Sequence, residues 1–373
     1  MDKTTARLID RWRAGGVIDE TTASRIEAWE RQHAAEHGSR LARFAFAFGG
    51  LLLGAGVLLF VAANWEMLSP AARFATLAGT VALLHLLGGL AESRSQALAT
   101  TLHAVGTGAF GGAVFLSGQL FNLAEEWPRG FMVWALGAAA ALWIRRDWPH
   151  VLWVAMLVPA WLVAEWAARV GIGNHFATVP VVGLFLTCIA YVGAVGPGRD
   201  SSWRQALSRL GAILVVPVAA ILPFGNWMPD TSDGLPVPVV ALGWVVALGL
   251  PLVVAVWLRG RAAWPLVVAA AFALVVTTLD YAQPWDRLLA HLLYAAGSAG
   301  LVWWGLRESH ALRVNLGVLG FALSVLWFYQ SSVFDRFGRS LGLIGLGILF
   351  IGGGWWLEKT RRRLVERIEG ERR

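Results

Sequence analysis

Gly118-Gln119-Leu120-Phe121-Asn122-Leu123-Ala124-Glu125-Glu126-Trp127-Pro128-Arg129-Gly130-Phe131 lies between two strongly apolar runs, 98–121 and 130–144. If those runs cross a bilayer, the amide, carboxylate, indole and guanidinium groups between them gather at one membrane face. There water thins out and every unmade hydrogen bond costs more. Whether the chain is read as a membrane bundle turns on stretches of this kind.

Composition supports the membrane reading. The 373 residues are 57% hydrophobic and 15% charged, with a mean hydropathy of +0.59; soluble domains sit near 45–50% apolar and about 25% charged. A hydrocarbon core about 30 Å thick needs roughly 20 apolar residues per helix. Twelve runs are candidates: 42–63, 71–91, 98–121, 130–144, 150–168, 176–196, 209–224, 236–258, 262–280, 287–306, 311–331 and 339–357. The expected fold is therefore all-α and polytopic, with about twelve transmembrane helices over 41–357. A cytosolic helical unit over 1–40 precedes them and a basic cytosolic tail over 358–373 follows.

The basic residues orient this bundle. Of the 31 Lys and Arg residues, all but Arg73, Arg129, Arg169, Arg287, Arg336 and Arg339 fall in the tails and in alternate connections. That bias is what the positive-inside rule expects with both termini cytoplasmic and an even number of spans. The net charge of +7 is thus topological, and no nucleic-acid partner is expected. The 21 tryptophans concentrate at run ends as interfacial anchors, with Trp65 and Trp127 held apart as site candidates. Cys188, the single cysteine, lies inside an apolar run, so neither a disulfide framework nor a thiolate zinc site is expected.

In the N-terminal unit, Leu8, Ile9 and Trp12 mark a short amphipathic helix that Gly15-Gly16 break. Asp19 is placed to cap a second helix, with Glu20 in its first turn and Ala23, Ile26 and Trp29 as its apolar stripe. Such a hairpin is too small to hold a core alone. It packs on the bundle or, through residues 1–38, docks a cytosolic protein partner; the plainer reading is a solubilising, orienting tail. A start this charged is not a cleavable signal peptide.

Motifs of soluble enzymes carry little weight. Gly106-Thr107-Gly108-Ala109-Phe110-Gly111 matches the dinucleotide fingerprint but lies within an apolar run, without strand or βαβ context, so close helix packing is expected of it. No Walker loop or His-Glu-x-x-His occurs; no cofactor and no metal are expected. His85, His103 and His291 lie inside runs and His150 at a boundary. Each is read as a hydrogen-bonded histidine, not as part of a metal trio.

The outer ends of the runs are richer. Gln119, Asn122, Glu126, Trp127 and Arg129 collect after the third run, and Asn64 and Trp65 after the first. Asp280, Asp286 and Arg287 bracket the ninth connection, and Asp335 and Arg336 precede the twelfth run. Gln119 and Asn122 share a helix face, which Glu126 extends. A faint echo relates Phe60…Asn64-Trp65 to Phe224-Gly225-Asn226-Trp227 and Trp127-Pro128-Arg129 to Trp285-Asp286-Arg287, as in six-plus-six transporter repeats.

Val61-Ala62-Ala63-Asn64-Trp65 and Gly118-Gln119…Trp127-Pro128-Arg129-Gly130-Phe131…Trp134-Ala135 resemble the bacterial predicted-membrane-protein family called domain of unknown function 2157. So does the ending from Phe334-Asp335-Arg336. Where relatives carry His-Leu before the tryptophan loop, this chain has Asn122-Leu123, which counts against an essential histidine there. The family has no established activity: the resemblance implies topology and leaves function open, while helical spans in a bacterial-looking chain imply the inner membrane. Three readings stand at this point. In a transporter-like protein for a small polar or lipid-linked solute, Gln119, Asn122 and Asn64 bind and Glu126 and Arg129 gate. In a periplasm-facing enzyme on lipid-linked substrates, Glu126 or Asp280 is the base and Arg129 or Arg287 the phosphate holder. In a scaffold or envelope-stress component, no chemistry is needed.

Overall fold

The computed structural model describes residues 11–29, 68–120, 127–170, 178–196, 201–223 and 236–330, with isolated positions between 9 and 59. All regular elements among them are helical. Residues 11–14 and 20–29 form the expected N-terminal hairpin, with Gly16 at φ 66 in the turn. Asp19 caps the second helix: its carboxylate accepts the Thr22 N–H at 2.9 Å and the Thr21 hydroxyl at 2.5 Å. Those bonds hold the Asp19 carboxyl down at about 2.

Ten further helices follow: α1 Pro70–Ala91, α2 Gln96–Leu120, α3 Trp127–Arg145, α4 Trp148–Val170, α5 Thr178–Val192, α6 Ser202–Ile221, α7 Val237–Arg259, α8 Trp264–Thr278, α9 Pro284–Arg307 and α10 Ala311–Gln330. They fall on the second to eleventh apolar runs. The first and twelfth runs lie largely outside the described residues. By length and composition 7 stretches can cross a membrane, one of them the continuous Val237–Thr278. A 3-10 turn at Gly260–Ala263 divides that stretch into α7 and α8, and Gly260 supplies the positive φ of 63 that lets the chain leave α7.

Local chemistry sets the boundaries. The Ser69 hydroxyl accepts the Ala72 N–H at 3.3 Å and Pro70 opens α1; prolines also sit at the starts of α7, α8 and α9, where no partner for their missing N–H exists. Arg145, Arg169, Arg259 and Arg307 occupy last turns and complement the negative helix end. The run expected over 130–144 starts earlier, so Trp127, Pro128 and Arg129 form the first turn of α3 and not a loop. Pro217 lies inside the continuous α6.

Polarity is inverted relative to a soluble protein. Leu86, Leu90, Trp143, Ile144, Val245, Val253 and Trp257 are exposed, while His103, Thr107, His150, Ser208, Thr277, His291, Ser298, Arg313 and Ser324 are buried. Lipid in place of water accounts for both halves of that pattern.

The chain forms two compact units, Met1–Trp161 and Leu162–Arg373. In the first, α1 and α2 are an antiparallel pair joined by a tight turn, and α2 also packs on α3. Ala135, Ala138 and Leu157 join Phe131, Trp134 and Trp153 in its core. In the second, α5 is buried along nearly its whole length and carries α6, α7 and α8 around it, with Val182, Phe185, Leu186 and Ile189 at the centre. A Cβ at Gly211 of α6 would sit 2.6 Å from the Cys188 carbonyl oxygen of α5. Only glycine permits that approach.

Candidate functional site

In the first unit, one face of α2 organises the polar groups. Gly106 lies beneath the His85 ring, Gly108 against Trp153 and Gly111 against Trp134, where an added Cβ would come within 3.0, 3.1 and 2.1 Å. The glycines of the fingerprint-like motif are therefore seats for rings. The two indoles donate to main-chain oxygens of the same helix, Trp134 Nε1 to Thr107 O at 2.8 Å and Trp153 Nε1 to Ala104 O at 3.0 Å. A helical carbonyl has a second lone pair free to accept them.

His85 of α1 and His103 of α2 meet across this face, Nδ1 to Nδ1, at 3.0 Å. The packing is reciprocal: His103 rests on Gly88 of α1 and His85 on Gly106 of α2. His103 Nε2 is buried without a hydrogen bond and looks toward Glu92 Oε1 at 3.9 Å. Glu92 pairs with Arg145 at the end of α3, and Arg145 Nε lies 3.5 Å from Asp147 Oδ2. The other Asp147 oxygen receives His150 Nδ1 at 2.5 Å. His150 Nε2 is 3.1 Å from the Thr107 hydroxyl, which is also 3.1 Å from His103 O. The circuit thus closes on α2 one turn from where it began. The single hydroxyl hydrogen of Thr107 can serve His103 O or His150 Nε2, not both at once.

Burial alone would raise the Asp147 carboxyl; the hydrogen bonds from His150 and the charge of Arg145 outweigh it and hold the group below the usual range. Among the described residues no three His, Cys, Asp or Glu side chains are arranged around a metal position. Its histidine and carboxylate members can hold and pass protons on either side of Arg145, which keeps its own.

A second polar cluster lies in the second unit. Arg313 is 0% exposed; its Nη1 reaches Glu308 Oε2 at 2.5 Å and its Nε reaches Val192 O at 3.4 Å. Arg259 pairs with the other Glu308 oxygen and donates to Gly193 O at 3.0 Å, and Trp304 Nε1 donates to Glu308 at 2.8 Å. Arg204 bridges Ala194 O and Leu258 O at 2.8 and 2.9 Å. Both Arg313 and Arg259 stack on the Trp304 ring, at 4.2 and 5.1 Å. Helices leave their last carbonyls without partners, and three arginines satisfy those that end α5 and follow it. Burial pushes the Glu308 carboxyl up, but its bonds from Arg259, Trp304 and Arg313 prevail and hold it low.

The residues expected to form an outer site divide into two groups. Gln119 is exposed on the last turn of α2, and Trp127 and Arg129 are exposed on the first turn of α3. These sit at one end of the first unit, tied by the Phe115 and Phe131 rings 4.9 Å apart and opposite the Glu92–Arg145 end. Asn64, Trp65, Asn122, Glu126, Asp335 and Arg336 lie outside the described residues. Asp280 and Asp286 build a turn: Asp286 Oδ2 accepts the Asp280 N–H at 2.8 Å and Asp280 Oδ1 accepts the Ala282 N–H at 2.9 Å. Arg287 follows in the first turn of α9.

Sequence reasoning passed over Glu92, Thr107, Arg145 and Asp147. One signal was readable: His85 and His103 are equidistant from Arg94, so a hairpin turning there brings them face to face.

The comparisons with known proteins meet at this unit. Residues 10–151 match the family described as "Predicted membrane protein (DUF2157)". No curated protein and no solved structure matches the chain. The DUF2157 match ends one residue past His150, so the whole circuit from His85 to His150 lies within the family segment, whereas the Arg313 cluster lies beyond it.

Proposed function

We propose that this chain is a transporter-like protein of the bacterial inner membrane, with about twelve spans and both termini cytoplasmic. It handles a small polar or lipid-linked solute. The observation that carries the reading is the burial of His103, His150 and Arg313, with His85 half-buried beside them in the first unit, within or beside apolar helices. Ionisable groups at membrane depth are expensive and mark paths for ions or substrates. Helices with internal proline, Pro159 in α4, Pro217 in α6 and Pro251 in α7, support it, since such helices free backbone groups that can line a path. In this reading Gln119 and Asn122, with Asn64 and Trp65, receive the solute, and Glu126, Trp127 and Arg129 form its rim.

Purified protein in liposomes, presented with a panel of labelled zwitterionic, sugar-like and lipid-linked solutes, tests the reading. Uptake or lipid translocation by the native chain, lost in Gln119→Ala and Glu126→Ala, is the expected result. Full activity of both variants removes the outer site, and inactivity of the native chain on every solute class favours a scaffold.

A further inference from the structure

We propose that His85 and His103, reached through Glu92, form a partly buried proton-exchange site in the first unit, a pair that takes up one proton in common. The two Nδ1 atoms are 3.0 Å apart, so one hydrogen lies between them and one ring donates while the other accepts. Glu92 decides which. Its carboxylate faces His103 Nε2 at 3.9 Å and favours a hydrogen on that nitrogen, which leaves His103 Nδ1 as the acceptor and His85 Nδ1–H as the donor. Glu92 and Arg145 face the pair from α1 and α3, His150 faces it from α4, and Asp147 stands behind Arg145.

The transfer is balanced without any co-reactant. A proton arriving at His85 Nε2 lets the Nδ1 proton of His85 move to His103 Nδ1. His103 then gives its Nε2 proton to the Glu92 carboxylate, which releases it to solvent; one proton enters, one leaves and both rings exchange tautomers. Run backwards, the same steps load the pair from Glu92. Glu92 can carry this traffic because its side chain is 48% exposed, whereas that of His103 is 10% exposed and has no other exit. Arg145 does not release its proton, so it holds Glu92 in place and closes the circuit to proton flow beyond. The pair's capacity is one, since two imidazolium rings meeting Nδ1 to Nδ1 would set like charges and two donors against each other. Both rings are seated on glycines of the opposite helix, Gly106 and Gly88, and a larger residue at either would displace the facing ring. Only the further step, that this proton drives solute movement, rests on the transport reading.

The test is histidine-selective 15N NMR on the full chain in lipid nanodiscs, titrated between about pH 8 and 5. His85 and His103, assigned with H85Q and H103Q, are expected to shift together and account jointly for about one proton. In E92Q the exchange of that proton with water is expected to slow, while H291Q in the other unit leaves it at the native rate. Fixed neutral tautomers throughout, two independently titrating rings, or native exchange in E92Q would each overturn the proposal. Should H103Q not fold, H85Q and the native titration suffice for the assignment. Solute movement is not read here, so failure of the outer-site variants and failure of the proton site remain distinguishable.

Discussion

Arg313 is fully buried, so its charge is tolerable only because Glu308 and the carbonyls after α5 surround it. Replacing one member of a buried ion pair leaves the other uncompensated at a cost of about 3–5 kcal/mol. Arg313→Met is therefore expected to lower the thermal midpoint in detergent far more than exposed Arg261→Met. The carboxylates add a pH dependence. Glu308 and Asp147 are both held below their ordinary values, so the folded state binds their protons less readily than the unfolded chain. Their contribution is complete above the unfolded carboxylate range, near pH 4, and is lost as pH falls through the lower folded values. The expected thermal midpoint drops as pH falls below about 4, with a shallower acid limb in Glu308→Gln. Sequence alone read Arg313 as one more positive-inside count. Its partners come from α5, the α5–α6 connection and the end of α9, positions that no local spacing relates.

At the scale of elements, the glycines of α1 and α2 divide by what they face. Gly111 supports Trp134, and an alanine methyl there would sit 2.1 Å from the ring, forcing the indole off its bond to Thr107 O. Gly79 has nothing within 4 Å of a prospective Cβ. Gly111→Ala is expected to destabilise the unit by about 1–3 kcal/mol through overpacking, whereas Gly79→Ala should gain about 0.5–1 kcal/mol of helix propensity. Thermal unfolding followed by tryptophan fluorescence reads both. An unchanged midpoint in Gly111→Ala would mean that α2 and α3 are not packed this closely. The existence and order of the helices were legible because apolar runs of membrane length punctuated by arginine and proline leave few alternatives. Closeness of α2 to α3 was legible only as glycine content. The circuit was half legible: the His85–His103 meeting follows from hairpin symmetry about Arg94, but Glu92 and Arg145 meet across two different hairpins, and each alone looks like an ordinary polar turn residue. Of the outer site, Gln119 lies on the last turn of α2 and Trp127 and Arg129 on the first turn of α3; the loop expected for the latter two was not a loop because Pro128 is well suited to a helix start.

Over the whole molecule, the arginine-bearing turns share one end within each unit. The α1–α2 and α3–α4 turns meet through Glu92 and Arg145. In the other unit, Arg204, Arg259 and Arg313 tie the connections after α5, α7 and α9 together. In the proposed topology the positive-inside rule places these ends in the cytoplasm. Cys188 is buried, so single cysteines introduced elsewhere report with little background. A membrane-impermeant maleimide applied to spheroplasts is expected to label Gln119→Cys directly, and Ser93→Cys and Ser309→Cys only after permeabilisation. Labelling in the opposite sense would invert the bundle and place the Glu92 end of the proton site outside. Labelling of Ser93→Cys and Ser309→Cys from different sides would mean that the arginine-rich ends of the two units face opposite leaflets. An odd number of crossings would then separate those turns, and neither the alternation of charge nor an even span count could stand.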